Sequence, residues 1–256
     1  MDKLIHTALN SLHSARLRQN VSSQNLANAQ VSGYRGDEVG GRFGSIYLTA
    51  EGQMESRVFT KKSEPGLFST KQGELRQTGE QTDLAISGAG YFLVEGENNE
   101  LGMSRRGDFT IATDGTLLNG AGERMLDTSL TPITLPPFRK IFVAENGQIY
   151  IQPMGAEPGV RQLVNQVALS SGDGLDLVKD IDGLIRPRGG FIREEFNADQ
   201  NAKLTQGYLE TSNVSVFDEL VNNVEIQKQY QLNVKLISLA KELDEAGSTL
   251  MKLPNS

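Results

Sequence analysis

The sequence predicts an α+β protein whose N- and C-terminal helices pair as a coiled-coil-like unit, with a mainly antiparallel β-domain inserted between them. Three observations carry this. Met1, Ile5, Ala8, Leu12, Ala15, Gln19, Ser22 and Leu26 recur at alternating spacings of four and three. Leu232, Leu236, Leu239, Leu243, Ala246, Leu250 and Leu253 do the same near the other end. Such alternation puts every member on one side of a helix. Turn-formers avoid both ends: 24 of the 27 glycines and seven of the eight prolines lie between residues 37 and 210, so the middle is built differently.

Taken in order, the first helix is expected from Asp2, a plausible N-cap, to about Asn28. Its seam is small or polar at Ala8, Ala15, Gln19 and Ser22, so burial per turn is low and the helix alone would be marginal in water. Ser32-Gly33-Tyr34 then reads as a turn. The last helix should start at Ser215, with Asp218 three residues on as in a capping box and Glu219 adding negative charge to the first turn. Val214, Phe217, Val221 and Val224 form one seam, and the leucines form another offset from it. Ile226, Tyr230, Val234 and Ile237 add a further face. A helix so broadly apolar is packed on several sides, and with one long helical partner in the chain some of that burial must come from other molecules. The residues expected to carry helix packing and assembly are Ile5, Leu12, Leu26, Phe217, Val221, Leu236, Leu243 and Leu250.

Between the helices, Leu84–Ser87, Tyr91–Glu95, Phe109–Thr113, Ile141–Ala144 and Ile149–Gln152 read as strands. Asp114-Gly115 and Asn146-Gly147 are hairpin signals, because glycine takes positive φ at low cost. The division expected is 1–36 with 211–256 as a discontinuous helical domain, 37–72 and 197–210 as extended connectors, and 73–196 as a β-domain, barrel or sandwich. No clean internal repeat is visible.

Charge follows the same division: +3 over 1–36, −2 over 211–256 and −8 between them. The two ends can pair without repulsion, and an acidic body argues against nucleic-acid binding. Without cysteine there is no disulfide, thiolate nucleophile or Cys-ligated metal. Polar Asn10, Ser11, His13 and Ser14 break any signal-peptide core, and the longest apolar runs fall far short of a membrane span. The chain therefore reads as soluble, neither Sec-exported nor membrane-inserted.

Chemistry is sparse. His6 and His13 share a helix side but lack further ligands, so they read as structural or surface residues. Asp173, Asp176, Asp180 and Asp182 lack calcium-loop order and read as a solvated loop. Gly88-Ala89-Gly90 is a tight turn rather than a dinucleotide fingerprint. An enzymatic reading, such as a cell-wall hydrolase, would need convergent carboxylates, for example Asp83, Asp108 and Asp114. A third reading makes the β-domain a binding module displayed on helices. No catalytic, cofactor or metal residues are assigned.

Three ordered segments carry a resemblance. Gln24-Asn25-Leu26-Ala27-Asn28-Ala29 with Gly33-Tyr34-Arg35 resembles the N-terminal signature of bacterial flagellar axial proteins, the rod and hook family. Gly207-Tyr208-Leu209-Glu210-Thr211-Ser212-Asn213-Val214 resembles the signature that opens their C-terminal helix. Thr78-Gly79, Asp83–Ile86, Gly88, Gly90-Tyr91-Phe92 and Arg106-Gly107-Asp108-Phe109 resemble the family's β-domain. Ser32 stands where the family often has proline, Leu26 where isoleucine is common, and 153–200 match poorly. Length and the modest 37–72 segment are most like the proximal rod branch, with the distal rod branch as the close alternative.

The resemblance implies a structural subunit of the flagellar basal-body rod, polymerising through terminal helices that line a hollow, torque-transmitting shaft. It implies export through the flagellar apparatus without a cleaved signal, a periplasmic location and no cofactor. The implied partners are further copies, other rod proteins and hook subunits, with no nucleic acid and no direct membrane insertion. It implies helices that order fully only when neighbours supply burial. Asn25 and Asn28 are expected to hydrogen-bond backbone at the helix end, and Gly33 to permit the reversal. Asn213 is expected either to cap the last helix or to make an intersubunit contact.

Overall fold

The computed structural model describes residues 2–40, 43–50, 53–60, 65–155, 157, 159–191 and 201–251. In chain order the elements are α1 (Asp2–Ala27), β1 (Phe43–Ala50), β2 (Gln53–Thr60), β3 (Leu75–Gln77), β4 (Leu84–Ser87), β5 (Tyr91–Glu95), β6 (Leu101–Ser104), β7 (Phe109–Ile111), β8 (Leu117–Asn119) and β9 (Arg124–Met125). Then come β10 (Phe138–Val143), β11 (Gln148–Pro153), β12 (Gln162–Gln166), β13 (Leu169–Ser170), β14 (Leu177–Lys179), β15 (Ile185–Pro187), β16 (Lys203–Gln206), β17 (Tyr208–Glu210) and α2 (Val216–Met251). The α+β class holds, and every strand pairing among the described residues is antiparallel.

The chain forms two compact units. One comprises residues 1–27, 37–67 and 215–256; the other comprises 28–36 and 68–214. In the first, α1 packs against α2, and β1 and β2 form a hairpin in register from Phe43↔Thr60 to Ala50↔Gln53. The stretch 37–72 is thus more than an extended connector, because its eight-residue strands satisfy each other's backbone groups. Helix α2 begins as its sequence suggests: the Ser215 hydroxyl accepts the Asp218 N–H at 3.3 Å, a side-chain N-cap.

In the second unit, β14-β15-β6-β5-β9-β8-β7 form one sheet with β13 added to β5, and β10-β11-β12 form another. Strand β5 is buried along its whole length. Because strand side chains alternate, Phe92 and Val94 enter one core with Leu84, Ile86, Phe109, Ile133 and Ile149, while Tyr91 and Leu93 enter a second with Phe68, Met103, Leu126 and Leu130. Phe92 and Phe109 meet edge-to-face, with ring centroids 5.3 Å apart.

One turn geometry recurs. At 96–100, 112–116, 119–123, 127–131, 144–148 and 180–184 the first residue accepts an N–H three residues on and donates to a carbonyl four residues on. The fourth residue is left-handed each time: Asn99, Gly115, Gly122, Leu130, Gly147 and Gly183. This is a type I turn closed by a one-residue bulge. Both dipeptides singled out in the sequence, Asp114-Gly115 and Asn146-Gly147, are such turns. Residues 203–210, expected within a connector, supply β16 on β4 and β17 on β3.

Candidate assembly site

Within the helical unit, the α1 side chains buried are Ala8, Ala15, Ser22 and Asn25, with Ser11 and Arg18 half-buried between them. On α2 Ile226 and Ala240 are buried, and Glu219, Asn223, Asn233, Ile237 and Gly247 are half-buried along the same stripe. Both stripes keep the four-three phase, but their residues are small or polar. Polar pairs span the seam: Asn233 donates to Ser11 at 2.8 Å, Arg18 to Gln229 at 3.2 Å, and Ser22 to Glu219 at 2.6 Å. Early α1 residues thus meet late α2 residues, so the helices run antiparallel.

The expected seams are therefore redistributed. On α1, Ala8, Ala15 and Ser22 face inward, Leu12 and Leu26 are half-buried, and Gln19 is exposed. On α2 the leucine seam does not face α1: Leu232, Leu236, Leu239 and Leu243 are 60, 47, 53 and 56 % exposed. Phe217, at 74 %, and Val221 are exposed as well. One stripe of α2 can face one partner helix, and there Asn233 and Glu219 find hydrogen-bond partners on α1. The bulky apolar side chains are left exposed on the remaining surface. The side chains of Ile5 and Leu250 lie outside the described residues.

In the β unit the two end segments are sewn together. Gly33 N–H donates to the Glu210 carbonyl at 2.7 Å, and Asn213 N–H to the Tyr34 carbonyl at 3.2 Å. The Asn213 side chain accepts Gly36 N–H at 2.8 Å and donates to the carbonyls of Ser69 and Lys71. Asn213 is thus a staple within the β unit, and Ser215 is the helix cap. Gly33 has φ 65°, and a Cβ there would collide with the Arg105 carbonyl oxygen. The Lys179 ammonium sits 3.9 Å above the Tyr34 ring and donates to the Arg35 carbonyl. Gly207, at φ 80°, turns the chain from β16 to β17, and its carbonyl accepts Thr78 N–H. Leu209 is half-buried opposite Arg76, and the Ser212 hydroxyl accepts Val214 N–H.

At the centre, Glu210 accepts Arg35 at 2.9 Å and lies 3.4 Å from Arg105; all three side chains are 3 % exposed or less. Arg105 also donates to the carbonyls of Ile86 and Gly88, tying down the β4–β5 turn. Burial holds the Arg105 guanidinium down to about 10, with Glu210 opposing that and Arg35 adding to it. Burial likewise raises Tyr91, over whose ring Arg105 lies.

Arg35 and Glu210 lie inside quoted motifs, but their pairing had no signal in a single sequence. The same holds for Arg105 beside Glu210 and for the bonds of Glu219 to Ser22 and Asn25. Asn25 does bond backbone, accepting Asp37 N–H at 2.7 Å and donating to the Asp37 carbonyl at 3.0 Å. Ala27 ends α1, and the Asn28 carbonyl accepts Val31 N–H.

The carboxylates that an enzyme would need are committed elsewhere. Asp83 accepts the Thr78 hydroxyl, Asp108 is bidentate to Arg106, and Asp114 caps its own turn through Thr116 N–H. Asp83 and Asp108 are neighbours through a backbone bridge. Asp180 and Asp182 both bind Arg186, and Asp176 binds Arg188. His13 is exposed. Among the described residues, no cluster of three metal-ligating side chains occurs, and no helix is long and apolar enough to cross a membrane.

Comparison with known proteins places these segments. Residues 85–151 match the family described as the flagellar hook protein FlgE/F/G D1 domain, and 205–250 match the flagellar basal body rod FlgEFG protein C-terminal family. The chain is 25 % identical to the flagellar basal-body rod protein FlgF of Salmonella typhimurium, over 99 % of this chain and 100 % of that protein. It is 25 % identical to FlgG of Buchnera aphidicola (93 % and 96 % covered) and 27 % identical to FlgF of Caulobacter vibrioides (96 % and 97 %). Both matched domains stand in family order and these relatives align along nearly their whole length, so the chain is similar to flagellar rod and hook axial proteins from end to end.

Proposed function

We propose that this chain is a structural subunit of the flagellar basal-body rod, polymerising through its terminal helices into a hollow shaft that transmits torque. The observation that carries the polymerisation is the leucine face of α2. It is apolar and regularly phased, and the chain's own first helix leaves it uncovered. Burying one leucine side chain contributes about 1.5–3 kcal/mol, so four per subunit repay a substantial ordering cost at assembly. Neighbours in a helical stack make head-to-tail contacts, which build a tube instead of closing a dimer. The contact residues would be Phe217, Val221, Leu236 and Leu243, with Leu12 and Leu26 supporting the helix pair.

The partners under this reading are further copies, other rod proteins and hook subunits at the periplasmic basal body, reached through the flagellar export apparatus. The part played is mechanical and uses no cofactor. A proximal position in the rod rests on the modest length of 37–72. The test is sedimentation of the full chain carrying Leu236→Ser and Leu243→Ser over a range of concentrations. The unsubstituted chain should form long particles and the double variant should stay monomeric with equal helix content; equal polymerisation by both would sink the reading.

A further inference from the structure

From the geometry at the base of the helix pair we infer that Asn25, with Glu219, is a register lock that selects one alignment of α1 on α2 out of several that their seams would accept. The seam repeats itself: Ala8, Ala15 and Ser22 are similar in size and seven residues apart. On α2, Ile226, Asn233 and Ala240 keep the same spacing. Sliding one helix by seven residues, about 10 Å, therefore keeps the small α1 side chains over the same α2 stripe. Small apolar contacts do not distinguish these alignments.

Polar groups do. The Asn25 carboxamide is nearly fully buried, donates to the Glu219 carboxylate at 2.9 Å, and exchanges two hydrogen bonds with the Asp37 backbone. Ser22 donates to the other Glu219 oxygen. After a seven-residue slip, Asn25 and Ser22 would be buried against a position without that carboxylate. Leaving buried polar groups unpaired costs more than the mean worth of their bonds. Because Asn25 also holds Asp37, which leads toward β1, the lock ties the hairpin arm to the same register. The lock stands independently of polymerisation, but under that reading it also fixes where on the subunit the leucine face is presented.

The chain has no cysteine, so disulfide trapping reads register directly. Ser11→Cys is combined with Asn233→Cys for the native alignment, and with Ile226→Cys or Ala240→Cys for the two slipped ones, in the full chain at dilute concentration. With Asn25 present, only the 11–233 pair should cross-link efficiently. In Asn25→Leu, slipped cross-links should rise about tenfold relative to the native pair, as expected for losing hydrogen bonds to a charged group. Glu219→Ala is the second variant and should do the same. If both variants keep the native cross-link alone, the lock is refuted. Loss of helical circular dichroism in both also overturns it, because these residues would then hold the pair together without choosing its alignment. A polymerisation assay on the same variants reads the assembly consequence separately.

Discussion

Arg35 and Glu210, from opposite ends of the β unit's sequence, meet as a buried ion pair at 2.9 Å with Arg105 on the carboxylate's other side. Two cations share one anion away from water, so the arrangement tolerates no loss of the anion. Glu210→Ala should destabilise the β unit by about 3–5 kcal/mol, the cost of breaking a buried pair and stranding its partners. Urea unfolding of the full chain, followed by tyrosine fluorescence, would measure it. A loss below about 1 kcal/mol would mean the pair is solvated in practice.

Gly33 and Gly79 separate space from conformation. Both have positive φ, but a Cβ at Gly33 strikes the Arg105 carbonyl, whereas nothing lies within 4 Å at Gly79. Gly79→Ala should cost about 1 kcal/mol of backbone strain, and Gly33→Ala clearly more, since backbone must shift to admit the methyl group. Thermal midpoints of the two variants compare them directly.

Leu130 occupies the left-handed position that four of the other five such turns give to glycine, with φ 60°. Its side chain is buried among the second core. Leu130→Gly relieves about 1–2 kcal/mol of strain but forfeits a buried leucine, about 2–5 kcal/mol. The net expectation is destabilisation, checked by chemical denaturation; a gain in stability would show that strain outweighs packing there.

Glu123 supplies a pH signature. Burial raises its pKa despite the hydrogen bond from Asn119. A raised folded-state pKa means the folded form favours the proton, so its contribution is full below the unfolded value of about 4.5 and lost as pH rises through the folded value. Glu123→Gln should therefore stabilise the protein at pH 7 and have little effect below about pH 4.5. Melting temperatures across pH 4–8 would show the crossover. Asp182, held low overall because Arg186 and Leu184 N–H outweigh its burial, works oppositely and loses its contribution in acid.

What the sequence revealed depended on how local the cause was. Ser215 capping Asp218, the Asp114-Gly115 and Asn146-Gly147 turns, and Tyr91–Glu95 as a strand are each set by a few consecutive residues. On α2 the leucines dominate a periodic reading, whereas the stripe facing α1 is set by small size and hydrogen bonding and so leaves little trace in the sequence. Ile226, Asn233 and Ala240 look unremarkable until Ser11 is seen opposite. The strands of 203–210 were missed because their partners, β3 and β4, lie a whole domain away.

That last separation has a kinetic consequence. The six tight turns let neighbouring strands join as soon as each pair exists, over loops of a few residues. Among the described residues, β3 and β4, by contrast, find their strand partners only in β17 and β16. Closing so large a loop carries an entropic penalty that local pairing does not. A chain made from its N-terminus must therefore hold two unpaired strands until residue 210 arrives, and a nascent chain stopped short of that point presents sticky edges to its neighbours.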